Sequence, residues 1–141
     1  MLSRFRATLS GYATYSARGG LFPFLLHRIT GLGTLLFLAS HIITTASVYF
    51  YPSFYNRFLT LFRTPLFMLG EIILVFCVIF HGVNGLRIAY FDLFKPELWK
   101  KPSFQKTTRA TLLIALLLWL PAAVVMGYNL LKLGFGLFGG E

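Results

Sequence analysis

Three long apolar stretches dominate the chain, and segments rich in lysine and arginine separate them. The stretches cover about residues 23–50, 65–90 and 111–131. A helix needs roughly 20 apolar residues to cross the hydrocarbon core of a bilayer, and each stretch is long enough. The pattern therefore predicts an all-α protein with three transmembrane helices, the third of them kinked at Pro121.

The composition agrees with this class of protein. The chain has 141 residues, of which 57% are hydrophobic and 12% are charged, whereas a soluble domain carries roughly twice that share of charge. The formal net charge of +9 could suggest nucleic acid as a partner. We do not expect one, because the basic residues lie between the apolar stretches, where membrane topology explains them. We expect one membrane domain over residues 1–141.

The distribution of basic residues predicts the orientation. Those before or at the start of the first helix are Arg4, Arg6, Arg18 and Arg28, and those after the second helix are Arg87, Lys95, Lys100, Lys101, Lys106 and Arg109. The connection between the first two helices carries only Arg57 and Arg63, and the C-terminal tail carries Lys132. The positive-inside rule then places the N-terminus inside and the C-terminus outside. We expect the first helix to be retained rather than cleaved as a signal peptide.

One histidine lies in the middle of the second apolar stretch. A histidine at bilayer depth is costly and usually marks a ligand or a binding site. Gly85 follows His81 by one turn on the same helix face, where it would leave room for a porphyrin plane. Arg87 lies ~9 Å along the helix from His81, nearer the surface, where a haem propionate would need a cation. The alternative is that His81 forms a hydrogen bond with a neighbouring helix.

A second group of polar residues is expected at the inner face of the membrane. His27 and Arg28 open the first apolar stretch, and Arg87 and Asp92 close the second. The pair His27 and Arg28 would either extend to the lipid headgroups, or hold propionates or a quinone carbonyl. Asp92 follows His81 by eleven residues and returns to nearly the same helix face. It would pair with Arg87 or a partner's cation, or be a solvated helix end.

His41 lies in the outer half of the first helix, ~21 Å from His27 along the axis. It is a candidate ligand for a second haem, or a residue bonded to a backbone carbonyl. The expected difference in depth argues against one haem held by both His41 and His81. Glu71 is expected to reach the outer headgroups. Cys77, the single cysteine, has no partner for an internal disulfide.

Two motifs then give the chain a family resemblance. The first is His27-Arg28-Ile29-Thr30-Gly31, and the second is His81-x-x-x-Gly85-x-Arg87-x-x-x-x-Asp92. Together they resemble the cytochrome b556 subunit of succinate dehydrogenase, one of the two small membrane anchors of complex II. The resemblance covers nearly the whole chain and implies three helices packed in a bundle with the second anchor subunit.

The resemblance also implies roles for individual residues. His81 would be one axial ligand of haem b, with the other ligand supplied by the second anchor. His27 and Arg28 match the family's propionate and quinone-site pair, and Asp92 matches the aspartate that closes the second motif. Well-known members carry a serine three residues before the motif histidine. Here that position is Phe24, so the quinone contacts are expected to differ and the quinone need not be ubiquinone.

The implied function is that of an electron-transfer anchor in the tricarboxylic acid cycle. It would attach a flavoprotein and an iron–sulfur subunit to the bacterial cytoplasmic membrane, or the inner mitochondrial membrane, and help form the site of quinone reduction. It would bind one haem b, or two if His41 is also a ligand. The chain has no flavin-binding glycine pattern and no cysteine cluster, so it would not bind succinate itself. The alternatives are an anchor of a quinol–fumarate reductase and a non-redox helical membrane assembly subunit.

Overall fold

The computed structural model describes residues 21–97 and 103–137, and within these ranges the chain is helical and contains no β-strand. The helices are α1 (Leu21–Phe50), α2 (Pro52–Phe62), α3 (Pro65–Phe94) and α4 (Ser103–Asn129), and α4 continues into a π-helical turn (Leu130–Gly134). The basic residues Arg4, Arg6, Arg18, Lys100 and Lys101, used above to predict the orientation, lie outside the described residues.

The three predicted spans are confirmed. The segments long and apolar enough to cross a membrane are Phe22–Phe50, Pro65–Phe94 and Thr107–Gly134. The helices extend beyond the predicted stretches, most of all α4, which begins at Ser103 rather than near 111. Hydropathy marks only the part of a helix in the hydrocarbon, and polar residues continue the helix beyond it. Helix α4 also remains α-helical on both sides of Pro121.

Helix α2 was not predicted. It is a separate helix of 11 residues between the first two spans. Tyr51 separates it from α1 with a non-helical backbone (φ −146°, ψ 72°), and a residue before a proline is disfavoured in the α-helical conformation. Proline also occupies the start of both α2 and α3, where its fixed φ suits a helix and its missing N–H costs nothing. Pro52 and Pro65 thus mark the boundaries between α1, α2 and α3.

Helix α3 is the central helix and packs against α1 on one side and α4 on the other. Its buried apolar residues are Cys77, Phe80 and Phe91, and Ala115 of α4 is also fully buried. The indole of Trp119 on α4 donates a hydrogen bond to the carbonyl of Ile72 at 3.1 Å. Such contacts position α4 against α3 in a setting where hydrophobic burial from water contributes little between helices.

The buried hydroxyl groups are satisfied within their own helices. Thr30 is 1% exposed, and its Oγ1 donates to the carbonyl of Leu26 at 2.7 Å. Ser47 of α1 and Thr111 of α4 donate in the same way to carbonyls three and four residues earlier. These residues therefore fit an apolar interface without a ligand or a partner side chain.

Glycine brings α1 and α3 into close contact. A Cβ atom placed on Gly33 would lie 2.7 Å from Sγ and 2.9 Å from Cβ of Cys77. Both distances are shorter than van der Waals contact, so the helices can pack this closely only because position 33 has no side chain.

We therefore expect Gly33→Ala to destabilise the protein by about 1–3 kcal/mol, the usual cost of overpacking. The measurement is the thermal midpoint of the solubilised protein. Gly127→Ala is the matched control, because a Cβ there meets no atom within 4 Å. Adding Cys77→Ala to Gly33→Ala should restore part of the loss, since it removes Sγ but keeps the Cβ. Equal midpoints for the Gly33 and Gly127 variants would contradict the close contact.

Candidate functional site

Two histidines from neighbouring helices lie face to face between α1 and α3. The rings of His27 and His81 are stacked, with centroids 4.2 Å apart and an interplanar angle of 1°. Because α1 begins at Leu21, His27 lies almost two turns inside the helix rather than at its end. His27 thus lies at the depth of His81, which the sequence did not predict.

A hydrogen bond determines which nitrogen of His81 carries its proton. Nδ1 of His81 lies 3.1 Å from the carbonyl oxygen of His27. A carbonyl only accepts hydrogen bonds, so Nδ1 must be the protonated nitrogen, and in the neutral ring Nε2 then carries a free lone pair. No hydrogen bond to Nε2 occurs in the described part of the chain. A backbone carbonyl on one ring nitrogen is the usual arrangement for a histidine that binds a metal through the other.

Gly31 makes room for the His81 ring. A Cβ on Gly31 would lie 2.9 Å from Cε1 and 3.2 Å from Nδ1 of His81. Any side chain at this position would displace the imidazole. Gly85, expected to leave space beside His81, instead faces the other histidine: a Cβ there would lie 3.9 Å from Cε1 of His27, an ordinary contact. Gly31 was part of the sequence motif, but its spatial role depends on how the two helices cross.

Two buried polar atoms beside the histidine pair lack a hydrogen-bond partner among the described residues. They are Nδ1 of His27 and Oδ1 of Asn84. Asn84 is only 2% exposed, and burying an amide oxygen without a partner is unfavourable. Sequence reasoning gave Asn84 no role, although an asparagine within a long apolar helix was a usable signal. Unsatisfied buried groups of this kind mark a place where a ligand or water completes the hydrogen bonding.

The cations around the histidines point in different directions. The guanidinium of Arg87 donates from Nη1 to Oγ1 of Thr108 at 2.5 Å, which connects α3 to α4. The guanidinium of Arg28 lies 5.4 Å from the centre of the Phe24 ring, one turn away on α1. Both members of that pair are exposed, as is Asp92 near the end of α3. Within the part of the chain that the structure describes, no hydrogen bond or ion pair joins Asp92 to Arg28. The grouping of these residues at the inner face stays a prediction.

His41 lies apart from the histidine pair. His81 contacts the position of Gly31, ten residues before His41 and so roughly 15 Å along the helix. This separation agrees with the expectation that His41 and His81 do not hold one haem together. The His41 ring is stacked on Phe37 at 5.7 Å. It lines a cavity of about 690 Å³ that also reaches Glu71 on α3 and is bounded by α1, α2 and α3.

The comparison with known proteins supports the motif resemblance. Residues 6–122 match the family model of the succinate dehydrogenase/fumarate reductase transmembrane subunit. The chain is also similar to the succinate dehydrogenase 2 membrane subunit SdhC of Mycobacterium tuberculosis, with 32% identity over 118 residues. That alignment covers 82% of this chain and 83% of the relative.

The matched region contains the first two spans, both motifs and most of α4. With its three apolar helices, the chain is an integral inner-membrane protein. It belongs to the family of transmembrane subunits that anchor succinate dehydrogenases and fumarate reductases.

Proposed function

We propose that this chain is the haem b-binding anchor of a succinate dehydrogenase. In this role it attaches the flavoprotein and iron–sulfur subunits to the membrane and forms part of the quinone-reduction site with a second small anchor. The name of the mycobacterial relative supports the assignment to succinate dehydrogenase. The family description also includes fumarate reductase. The physiological direction of electron flow is therefore determined by comparing the rates of succinate oxidation and fumarate reduction.

The arrangement of His81 is the observation that carries the proposal. Its Nδ1 is held by the His27 carbonyl, its Nε2 is free of hydrogen bonds within the described residues, and Gly31 provides space for the ring. These features suit an axial ligand of a haem iron. The other axial ligand comes from the second anchor. Bound haem supplies one-electron redox chemistry inside the membrane, while the residues of this chain provide orientation and charge.

Three further residues are assigned to the haem propionates. Arg87 is partly buried one and a half turns beyond His81, with Nη1 directed to Thr108. His27 has a buried Nδ1 without a partner in the described chain, which suits a hydrogen bond to an added group. Arg28 is one residue further along α1 and exposed. Carboxylates between these groups would compensate cations that are otherwise costly near the membrane interior.

The quinone site is assigned to Phe24, Arg28 and Asp92. Phe24 and Arg28 form a pair on α1 that is exposed at the surface of the chain. A quinone ring bound there has access to an aromatic face and a hydrogen-bond donor together. Asp92 is exposed nearer the end of α3. A quinone bound between α1 and a partner subunit would contact the first two directly, and Asp92 would act at the same membrane surface.

The reduced-minus-oxidised visible spectrum of the purified complex is the direct test of the proposed function. A low-spin haem b spectrum is expected, together with oxidation of succinate coupled to quinone reduction. A complex without a Soret band would contradict haem binding and favour a non-redox assembly role for the histidines.

Arg28→Leu should lower quinone reduction more strongly than succinate oxidation by an artificial dye. The dye takes electrons before they reach the membrane, so it bypasses the region around Arg28. Charged hydrogen bonds contribute about 1.5–3 kcal/mol, which predicts roughly a 10- to 150-fold loss of quinone-dependent kcat/KM. Arg63→Leu, an exposed arginine at the other end of the hairpin, is the control and should leave both activities unchanged. Equal loss of both activities in Arg28→Leu would indicate faulty assembly and contradict the assignment.

Two roles are proposed for His41: ligand of a second haem in the cavity bounded by α1, α2 and α3, or a hydrogen-bonded structural residue. The small residues that line this cavity are Ser40, Thr44, Thr45 and Gly70. The hydroxyls of Ser40 and Thr44 already donate to carbonyls of α1, so these two need no partner in the cavity. Its volume of about 690 Å³ lies within the range of small-molecule and cofactor sites.

Haem quantitation separates the two roles of His41. Two haems per assembled complex in the wild type and one in His41→Leu, with the remaining redox transition unchanged, would establish His41 as a ligand. One haem in both proteins would leave His41 with a structural role.

A further inference from the structure

Helix α2 differs from the three spans in length and sequence pattern. Its 11 residues extend ~16 Å at 1.5 Å per residue, about half the thickness of the hydrocarbon core. It connects the end of α1 to the start of α3, at the surface of the membrane far from the His27–His81 pair. We call this surface the α2 surface.

The residues of α2 divide into two faces. At 100° per residue, all the apolar and aromatic side chains after Ser53 occupy one half of the helix, and the polar ones occupy the other. The first face consists of Phe54, Tyr55, Phe58, Leu59, Leu61 and Phe62, and the second of Ser53, Asn56, Arg57 and Thr60. A helix of this pattern and length lies in the plane of the interface rather than across the membrane.

The contacts of the apolar face agree with that position. Phe54, Phe58 and Phe62 form a continuous row, with ring centroids 4.5 and 5.7 Å apart. Phe62 continues the row to Phe67 of α3 at 6.0 Å. Tyr55, Leu59 and Phe62 also line the cavity that contains His41. The apolar face of α2 therefore packs over the C-terminal end of α1 and the N-terminal end of α3.

The polar side carries positive charge only. Arg57 and Arg63, the latter directly after the last residue of α2, are both exposed. The first acidic residue of the whole chain is Glu71, so residues 1–70 provide no carboxylate for these cations. Tyr49 and Tyr51, at the junction of α1 and α2, are 83% and 69% exposed. Tyrosines so placed are typical of the headgroup level of a membrane.

We propose that α2 lies flat in the headgroup layer of the α2 surface and that Arg57 and Arg63 bind the phosphate groups of anionic phospholipids. The apolar face would rest on the acyl-chain boundary, while the two guanidinium groups reach the phosphates beside it. This interaction would fix the hairpin of α1 and α3 relative to the membrane surface. Neither arginine lines the cavity that contains His41 or belongs to the proposed haem and quinone sites.

The position of the helix is tested by cysteine labelling in sealed vesicles of both orientations. Asn56→Cys, on the polar face, should react with a membrane-impermeant maleimide from the α2 surface, and Phe58→Cys, on the apolar face, should remain largely unreactive. The native Cys77 is buried and sets the background in the unmodified protein. Equal labelling of both variants would overturn the in-plane position.

The lipid preference is tested with the purified complex in nanodiscs that contain phosphatidylglycerol and phosphatidylcholine. The wild type should retain phosphatidylglycerol preferentially, and the preference should fall about five-fold for each arginine removed, as for a basic residue near an anionic surface. The double variant Arg57→Gln/Arg63→Gln should lose the preference, while Lys132→Gln should keep it. An unchanged lipid ratio in the double variant, or the loss of a bound protein subunit instead of lipid, would overturn the proposal. Haem content and succinate oxidation should be normal in the double variant, which separates this test from that of the proposed function.

Discussion

Replacement of His81 by alanine is expected to abolish the low-spin haem b spectrum of the assembled complex. His81 is the histidine whose Nε2 is left available by the hydrogen bond between its Nδ1 and the carbonyl of His27. Alanine would remove this proposed ligand and leave only the one proposed for the second anchor. Haem held between two subunits also stabilises their association, so the variant complex should dissociate at a lower temperature. Optical and electron paramagnetic resonance spectra of the purified complex provide the measurement.

His41→Leu is the matched control, because it removes a histidine from the same membrane domain at a different depth. The haem bound through His81 should keep its spectrum and midpoint potential in this control. A normal reduced spectrum in His81→Ala would remove His81 from the site, and His27, stacked on it at 4.2 Å, would then be the next residue to test.

The second large effect is expected from one methyl group at Gly31. A Cβ there would lie 2.9 Å from Cε1 of His81, and movement of the ring would break the hydrogen bond between its Nδ1 and the carbonyl of His27. Overpacking costs about 1–3 kcal/mol, and each 1.4 kcal/mol corresponds to about a ten-fold change in affinity. Gly31→Ala should therefore lower haem retention by roughly 5- to 150-fold and shift the resonance spectrum of any haem that remains.

Gly33→Ala is a close control for this effect. It adds the same methyl group to the same helix, two residues away, but the new atom would meet Cys77 instead of His81. It should lower thermal stability while the haem spectrum of the folded fraction stays normal. If both variants lose haem equally, the contact of Gly31 with His81 has no specific part in the site, and general loosening of α1 and α3 explains the result.

The exposed apolar surface shows why this chain needs partners or lipid. Large hydrophobic side chains are exposed along both outer helices, for example Leu32 and Leu36 of α1 and Leu117 and Val124 of α4. In a membrane such surfaces face acyl chains or other helices without cost. The proposed second anchor would have free apolar surface on α1 to pack against, while α3 remains central in this chain.

The sequence by itself determined the fold class and the family. Three apolar stretches predict three spans because hydrophobic length is a one-dimensional property that the bilayer measures directly. The motif that begins at His27 and the motif that begins at His81 together indicated the family, now supported by the match over residues 6–122. The predicted orientation, with the N-terminus inside, remains a prediction.

The tertiary structure decided which residues meet. The stack of His27 on His81 and the space at Gly31 depend on the register in which α1 crosses α3, and periodicity within one helix carries no information about register. The burial of Oδ1 of Asn84, which has no hydrogen-bond partner among the residues that the structure describes, follows from the same packing. Helix α2 was missed because its apolar residues alternate with polar ones, so it lacks the continuous hydrophobicity of a span. The role of its two faces can be inferred only from the way α2 packs against the ends of α1 and α3.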